Sequence, residues 1–265
     1  MTKTSTGLTN ALAIVVPCYN EFERFPIEDF RNFLRQSPDI ALCLVDDAST
    51  DNTRQHFEAL QAELPQQVHF LVNPRNLGKA GSVRKGIRYC HKEGLAEHLA
   101  YLDADLATSL EECASLLEFM DKKSFVFASR ILRVGAHVER KFSRFLIGRI
   151  IATAISNSLR LNVYDTQCGC KLFKASLTPV LFEAEFRSRW LFDVELFSRI
   201  MSHFGPQKAL AIMEEVPVKR WVDQGDSRVK LSYFFRLWID LWKIRKAHRK
   251  ALKPWGKYEK SQEAS

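Results

Sequence analysis

Long apolar runs are missing from this chain. No stretch of its 265 residues approaches the roughly 20 consecutive apolar residues that a membrane-crossing helix needs, which excludes a helical span. Residues 1–10 are polar, with one Lys and no apolar core of signal-peptide length, so no secretion signal is expected. Cysteine is present but unorganised. The six, at 18, 43, 90, 113, 168 and 170, are scattered, and Cys168-x-Cys170 lacks the spacing of a zinc knuckle or redox motif. They read as reduced thiols of a cytoplasmic protein. The seven histidines show no ligand spacing, and no Ser-His-Asp set stands out. There is no internal repeat and no low-complexity linker.

What is present describes a folded domain. With 46% hydrophobic and 26% charged residues the chain is globular in composition and long enough for one large domain with a full core. Residues 11–230 are read as that domain, 1–10 as a flexible N-terminus, 231–253 as a basic, aromatic, amphipathic helix and 254–265 as a tail. The net charge of +8 is uneven: Lys219 to Lys253 holds eleven Lys/Arg against three Asp, which leaves the remainder balanced.

The most informative stretch is Tyr101-Leu102-Asp103-Ala104-Asp105, an apolar run ending in two aspartates one residue apart. Residues i and i+2 of a strand point to one side, so Asp103 and Asp105 can aim two carboxylates at one point. Mg²⁺ and Mn²⁺ take hard oxygen ligands, commonly one or two carboxylates completed by water and phosphate oxygens. Taken alone, the same pattern also suits an ordinary turn in which Asp105 caps the next helix.

Its surroundings repeat a strand–loop–helix pattern. Apolar runs at Ala11–Val16 (stopped by Pro17), Ile40–Val45, Val68–Val72 and Leu99–Leu102 are expected strands. Ile27–Leu34, a segment to about Leu64 and another to about Cys90 carry helical spacing. This alternation signals a parallel sheet with helices on its faces, and in such sheets ligands sit beyond the carboxyl ends of the strands. Tyr19/Glu21, Asp46/Asp47, Arg75/Lys79 and Asp103/Asp105 all follow strands, so they can meet in one cleft. Further on, the sequence predicts a strand at Phe125–Ala128 leading to Ser129-Arg130, and a helix at Phe145–Leu161. A loop from Asp165 enters a strand by Phe173, a helix opens at Trp190, and Ala209–Val216 is read as a strand ending at Pro217. A nucleotidyltransferase, which also uses paired aspartates, would need a glycine-rich basic loop after the first strand, and Pro17 to Glu21 is not one.

Eight stretches in order, from about residue 12 to 231, carry a resemblance: Val16-Pro17-Cys18-Tyr19-Asn20-Glu21, Val45-Asp46-Asp47-Ala48-Ser49-Thr50-Asp51, Asn76-Leu77-Gly78-Lys79, Asp103-Ala104-Asp105, Ala128-Ser129-Arg130, Asp165-Thr166-Gln167-Cys168-Gly169-Cys170-Lys171-Leu172-Phe173, Phe192-Asp193-Val194-Glu195 and Glu215-Val216-Pro217. Together they resemble the family 2 glycosyltransferases of the GT-A fold, and within them the polyprenyl-phosphate enzymes related to dolichyl-phosphate mannose and glucose synthases. The stretch from Asp165 to Phe173, and Ala107 where the mannosyl branch usually has Gln, resemble the glucosyl branch more closely. Cys170 departs from that branch, which tends to have Phe there.

The resemblance implies an α/β, GT-A type fold with a mostly parallel Rossmann-like sheet. It also implies an inverting transfer of a sugar, glucose from UDP-glucose, onto a polyprenyl monophosphate. GDP-mannose or a UDP-N-acetylhexosamine as donor, or a non-catalytic basic binding protein, are the alternatives. By the same resemblance Pro17, Tyr19 and Glu21 border the nucleotide with Asp46, Asp47 reads the base edge, and Asp103 and Asp105 hold Mg²⁺ or Mn²⁺ on the diphosphate. Gln167 and Trp190 are expected to face the sugar and acceptor, and Asp193 and Glu195 to contact sugar hydroxyls or assist proton transfer, the alternative for Asp193 being a helix cap. Lys79, near a helix N-terminus, favours phosphate. A lipid phosphate with a second pKa near 6 is already a nucleophile at neutral pH. What it needs is positioning cations, for which Arg130, Arg140, Arg144, Ser227, Arg228 and Lys230 are the candidates.

Leu231, Phe234, Phe235, Trp238, Leu241 and Trp242 follow helical spacing among Arg236, Lys243, Arg245, Lys246, Arg249 and Lys250. A basic helix with aromatic residues suits an anionic membrane surface, so a peripheral position on a cytoplasmic membrane face is expected. Helix 145–161 is expected to lie beside it. Nucleic acid is not an expected partner, because it would leave the aspartate loops unexplained.

Overall fold

The computed structural model describes residues 10–131, 134, 137–139, 142–222 and 233–249. In chain order they form β1 (Asn10–Cys18), α1 (Ile27–Gln36), β2 (Ile40–Asp46), α2 (Thr53–Glu63), β3 (Val68–Val72), α3 (Gly78–Lys92), β4 (Ala96–Leu102), α4 (Leu110–Ser115), β5 (Phe125–Ser129), β6 (His137–Glu139), α5 (Phe142–Leu159), β7 (Cys170–Lys174), α6 (Thr178–Phe182), α7 (Phe192–Phe204), α8 (Pro206–Ile212), β8 (Met213–Pro217), β9 (Arg220–Val222) and α9 (Tyr233–Ala247). Seven strands make the main sheet in the order β3-β2-β1-β4-β7-β5-β8. It is parallel except for β7, which runs antiparallel to both β4 and β5. β6 and β9 pair apart from it.

Leu12 to Val16 of β1 and the whole of β2 are buried. Such near-continuous apolar strands belong to a sheet covered on both faces. Because side chains alternate along a strand, the interior divides into two layers. On one face Ile14, Leu42 and Leu44 pack with Phe30 of α1, Phe57 and Leu60 of α2, and Leu110 and Cys113 of α4. On the other, Val15, Val45 and Tyr101 pack with Val83 and Ile87 of α3, Ile155 of α5, Leu181 of α6 and Phe197 of α7. α3 lies close to the sheet because Gly86 has no side chain: a Cβ there would stand 2.4 Å from Val15 Cγ1 and 2.9 Å from Val45 Cγ2.

Several expectations need correction. β1 does not stop at Pro17 but runs to Cys18. Its pairing with β4 ends at Val15 while that with β2 continues to Cys18, so Pro17 occupies a segment paired on one side only, where a missing N–H is tolerated. Ala209 to Ile212 is helix, not strand. Gly205, at φ +76°, ends α7, and Pro206 opens α8, the usual preferences of these residues at helix ends. A short apolar run cannot by itself separate strand from helix. Cys170 is fully buried and packs on Cys113 in the core. All six cysteines are free and buried.

α9 differs from a helix with one apolar face. Leu237, Leu241 and Ile244 enter the same core layer as α7, and α9 lies against α5 as well as α7. Its outward face exposes Trp238, Ile239 and Trp242, at 44%, 54% and 59%. Leu231 and Lys250 of the expected helix lie outside the described residues, as do the side chains of Phe234 and Phe235. No helix among the described residues is long and apolar enough to cross a membrane.

Candidate active site

The carboxyl ends of β1, β2, β3 and β4 open into one cleft of about 750 Å³. β1 and its loop supply Pro17, Cys18, Tyr19, Glu21 and Arg24; the turn after β2 supplies Asp47; and the start of α3 supplies Asn76, Gly78, Lys79 and Ser82. Asp103, Ala104 and Asp105 follow β4, and Arg130 follows β5. Gln167, Arg189, Trp190 and Asp193 close the far side.

Three of these turns hold a non-glycine residue in the left-handed region: Asn20 at φ 51°, Ala48 at 60° and Leu106 at 50°. That conformation costs energy and persists only where surrounding bonds impose it. Here they do. Asn20 Oδ1 accepts from Thr50 N at 2.8 Å, Asn20 N donates to Ser49 Oγ at 3.0 Å, and Glu21 N donates to Thr53 Oγ1 at 2.9 Å. The loops after β1 and β2 are thereby tied together.

The two aspartates after β2 divide their work. Asp46 is buried and does not line the cleft; it accepts from Ser49 N at 2.8 Å and Arg54 Nε at 2.7 Å. Asp47 reaches the cleft edge, but its carboxylate accepts from Leu77 N at 2.7 Å, Gly78 N at 2.8 Å and Asn73 Nδ2 at 2.8 Å. The first N–H groups of α3 are thus already partnered by a carboxylate, the charge their dipole favours. Lys79 is turned instead toward Asp103, with which it forms an ion pair.

Asp103 O accepts from Leu106 N at 3.3 Å, and Asp105 Oδ1 accepts from Ala107 N at 3.1 Å. Asp105 does not cap α4. Ser109 does, accepting from Glu112 N at 3.2 Å. Burial, followed by the neighbouring Asp103 charge, raises the Asp105 carboxyl above its usual range, with Lys79 and Arg24 opposing. Burial alone would lower the Lys79 ammonium, but Asp103, Asp193 and Asp105 hold it above its ordinary value. With Lys79 already paired to Asp103, a further cation here would act by relieving the repulsion between Asp103 and Asp105.

Among the described residues no group of three or more His, Cys, Asp or Glu side chains is placed to hold a metal ion. Two carboxylates suffice when diphosphate oxygens complete the shell, and the local packing keeps one of them in place. A Cβ on Gly169 would lie 2.0 Å from Asp103 Oδ2, so that carboxylate occupies a space only glycine leaves free. Hard oxygens on a preset carboxylate fit Mg²⁺ or Mn²⁺.

Arg130 forms a two-pronged pair with Asp165, Nε–Oδ2 at 2.5 Å and NH2–Oδ1 at 2.8 Å, and lies 5.3 Å from the Trp221 ring. Burial alone would raise Asp165, yet the Arg130 guanidinium holds its carboxyl well below the usual range. Gln167 donates its N–H to the same carboxylate at 3.1 Å. Its side-chain Nε2 is buried without a hydrogen-bond partner, a donor at the cleft wall awaiting an acceptor.

Glu195 is not brought to the cleft. It is fully buried and joined to Arg187 at 2.8 Å and Arg199 at 3.0 Å. Burial alone would raise its carboxyl, but bonds from His248, Arg187 N–H and Arg199 bring it down to about 2. Arg140, Ser227, Arg228 and Lys230 lie outside the described residues, as does the Arg144 side chain. Cleft residues that sequence reading missed include Arg24, which meets Glu21 at 3.1 Å, and Arg189, whose Cδ would lie 3.1 Å from a Cβ on Gly78. Neither sits at a strand end, so no local pattern marked them.

Comparison with known proteins agrees with this geometry. The profile of glycosyl transferase family 2 matches residues 13–182. A dolichyl-phosphate beta-glucosyltransferase of Trichomonas vaginalis is 32% identical over 245 residues, covering 87% of this chain and 69% of that protein. The human dolichyl-phosphate beta-glucosyltransferase is 27% identical over 256 residues, covering 87% and 78%. A solved structure of Mycobacterium tuberculosis glucosyl-3-phosphoglycerate synthase with Mn²⁺, UDP-glucose and phosphoglyceric acid aligns with a TM-score of 0.65 at 16% identity, covering 89% of this chain and 80% of that one. At that identity the likeness shows the fold.

Proposed function

The chain belongs to glycosyl transferase family 2, and from that premise we propose that it moves glucose from UDP-glucose onto a dolichyl-type polyprenyl monophosphate, with inversion at the anomeric carbon. The carrying observation is the Asp103/Asp105 pair at the strand ends, set against Gly169 within the cleft. The glucosyl donor and lipid acceptor follow the relatives named above.

In this reading Pro17, Tyr19 and Glu21 border the nucleotide. Asp47 fixes the loop that carries Asn76 and Lys79 beside it. Asp103 and Asp105 would hold Mg²⁺ or Mn²⁺, which when bound offsets the charge of the departing diphosphate. Lys79 and Arg24 add positive charge on that side. An oxygen of the lipid phosphate attacks the anomeric carbon, the bond from that carbon to the diphosphate breaks, and UDP leaves with the electron pair. The nucleophile needs no base, since the phosphate is already ionised at neutral pH. Arg130, with Gln167 Nε2 beside it, positions the acceptor phosphate, and Asp193 and Trp190 face the sugar.

We assign the outward face of α9 to an anionic bilayer. Trp238, Ile239 and Trp242 stand exposed among Arg236, Lys243, Arg245, Lys246 and Arg249, all exposed. Aromatic residues at headgroup depth with cations toward acidic lipid favour such a surface. Six reduced thiols fit the cytoplasmic side.

Transfer of radiolabelled sugar from UDP-glucose, UDP-N-acetylglucosamine and GDP-mannose to polyprenyl phosphate tests the reading. Metal-dependent label from UDP-glucose in the lipid phase, abolished by chelator and by Asp105→Ala, is expected. Label from GDP-mannose alone would replace the donor; no transfer by folded protein would sink the proposal.

A further inference from the structure

Lys171 is a charged side chain in the middle of the core, with 0% exposure. Its Nζ donates to Cys168 O and, at 2.5 Å, to Asp193 Oδ1. The Tyr101 hydroxyl donates to the same oxygen at 2.5 Å. Tyr101 and Lys171 meet because they are direct partners in the antiparallel register of β4 with β7, and the first turn of α7 sets Asp193 over them.

Asp193 is 4% exposed, yet it lines the cleft. Both of these bonds end on Oδ1, and no described residue donates to Oδ2. One carboxylate oxygen is thus filled from within the fold, and the other, in a side chain that lines the cleft, takes no hydrogen bond from a described residue. A buried ion pair adds little net stability over apolar packing, though breaking one by removing a partner costs several kcal/mol. What the pair does is hold a carboxylate still. An ionised carboxylate can only accept hydrogen bonds, and a glucose moiety offers hydroxyl donors.

We propose that Tyr101 and Lys171 are positioning residues that aim Asp193 Oδ2 at a hydroxyl of the donor sugar, so that this buried trio, and not the nucleotide loops, supplies the affinity for the sugar over the bare nucleotide. The inference rests on the reading of the cleft as a nucleotide-sugar site.

Calorimetric titration with UDP and with UDP-glucose, both with Mn²⁺, tests it on the full chain. The variants are Tyr101→Phe, Lys171→Met and the double Lys171→Met/Asp193→Asn. Tyr101→Phe removes one hydroxyl, keeps the ring in place, and should leave UDP affinity unchanged. It should lower both kcat and the advantage of UDP-glucose over UDP by about tenfold, the worth of one hydrogen bond to a charged group. Lys171→Met should lower Tm by leaving a buried carboxylate unpaired; the double variant should recover Tm but not sugar discrimination. Unchanged discrimination in folded Tyr101→Phe, or its return in the double variant, overturns the inference. A wild type that binds UDP but gains nothing from the glucose overturns it too and leaves the nucleotide reading standing. A wild type that binds neither removes that reading and the inference with it.

Discussion

At the ends of β2 and β4 the carboxylates are held largely by backbone N–H groups of the neighbouring loops, with Arg54 also on Asp46 and Lys79 on Asp103, whereas across β5, β7 and α7 they are held chiefly by guanidinium and ammonium groups. Asp46 holds Ser49 N, Asp47 holds Leu77 N and Gly78 N, and Asp105 holds Ala107 N. On the other side Arg130 pairs with Asp165, Lys171 with Asp193 and Arg199 with Glu195. The first arrangement shapes the turns around the cleft. The second neutralises charge inside the protein, so its strength depends on protonation and on distant elements staying docked. The loops are therefore the place where substitutions change chemistry, and the buried pairs the place where they change stability, with the Arg130–Asp165 and Lys171–Asp193 pairs, each of which sends one residue to the cleft, touching both.

The largest expected effect sharpens this contrast on the buried side. Glu195→Gln leaves Arg199, which is 7% exposed, without its carboxylate, and should cost on the order of 3 kcal/mol in chemical denaturation. The sign with pH follows from its carboxyl lying at about 2 in the fold, below its ordinary value of 4.5. A depressed carboxyl stabilises the fold fully above its unfolded pKa and loses that contribution as pH falls through the folded one. Stability should decline from about pH 4.5 toward pH 2, and Glu195→Gln should flatten that decline. Transfer by the folded variant should be unchanged; a lost rate with unchanged stability would break the comparison.

Next comes Gly169→Ala, the converse case. Its Cβ would push Asp103 Oδ2, 2.0 Å away, and the tip of a side chain yields more readily than backbone. Misplacing a ligand by about 1 Å costs on the order of 100-fold in rate. Transfer should fall by that much while Tm moves little. A collapse in Tm would mean that the β4 loop is as structural as the buried pairs.

The smallest is Ser109→Ala, which deletes the cap on α4 at 3.2 Å from Glu112 N. Loss of such a cap costs about 1 kcal/mol, and denaturation should show it with transfer intact, although α4 follows directly on the aspartate turn. A drop in rate would show that the position of Asp105 depends on the helix below it.

The loop side was the part legible in the sequence. Apolar runs ending in Asp46-Asp47 and Asp103-Ala104-Asp105 announce strand ends, and the strand-end rule then places Tyr19, Lys79 and Arg130 in one cleft, as found. The paired side was not. Asp193 and Glu195 stand two residues apart on one helix, yet one reaches the cleft and the other faces Arg187 and Arg199, because α7 turns them to different neighbours. Nothing along the chain marks Lys171, one residue from a strand start, as buried until β7 is inserted between β4 and β5.

By itself the sequence determined what depends on neighbours along the chain: the alternation of strands and helices, the turn residues, the carboxylate spacing at β4, and the confinement of excess charge to the C-terminal stretch. Tertiary structure alone decided what depends on partners far apart in sequence. It set the antiparallel β7, the meeting of Tyr101, Lys171 and Asp193 from three elements, the withdrawal of Glu195, and the division of α9 into a packed face and an exposed aromatic one. The reason is physical: hydrogen bonds within a turn span a few residues and leave a local signature, whereas a buried charge is settled by whichever opposite charge the completed fold brings within reach.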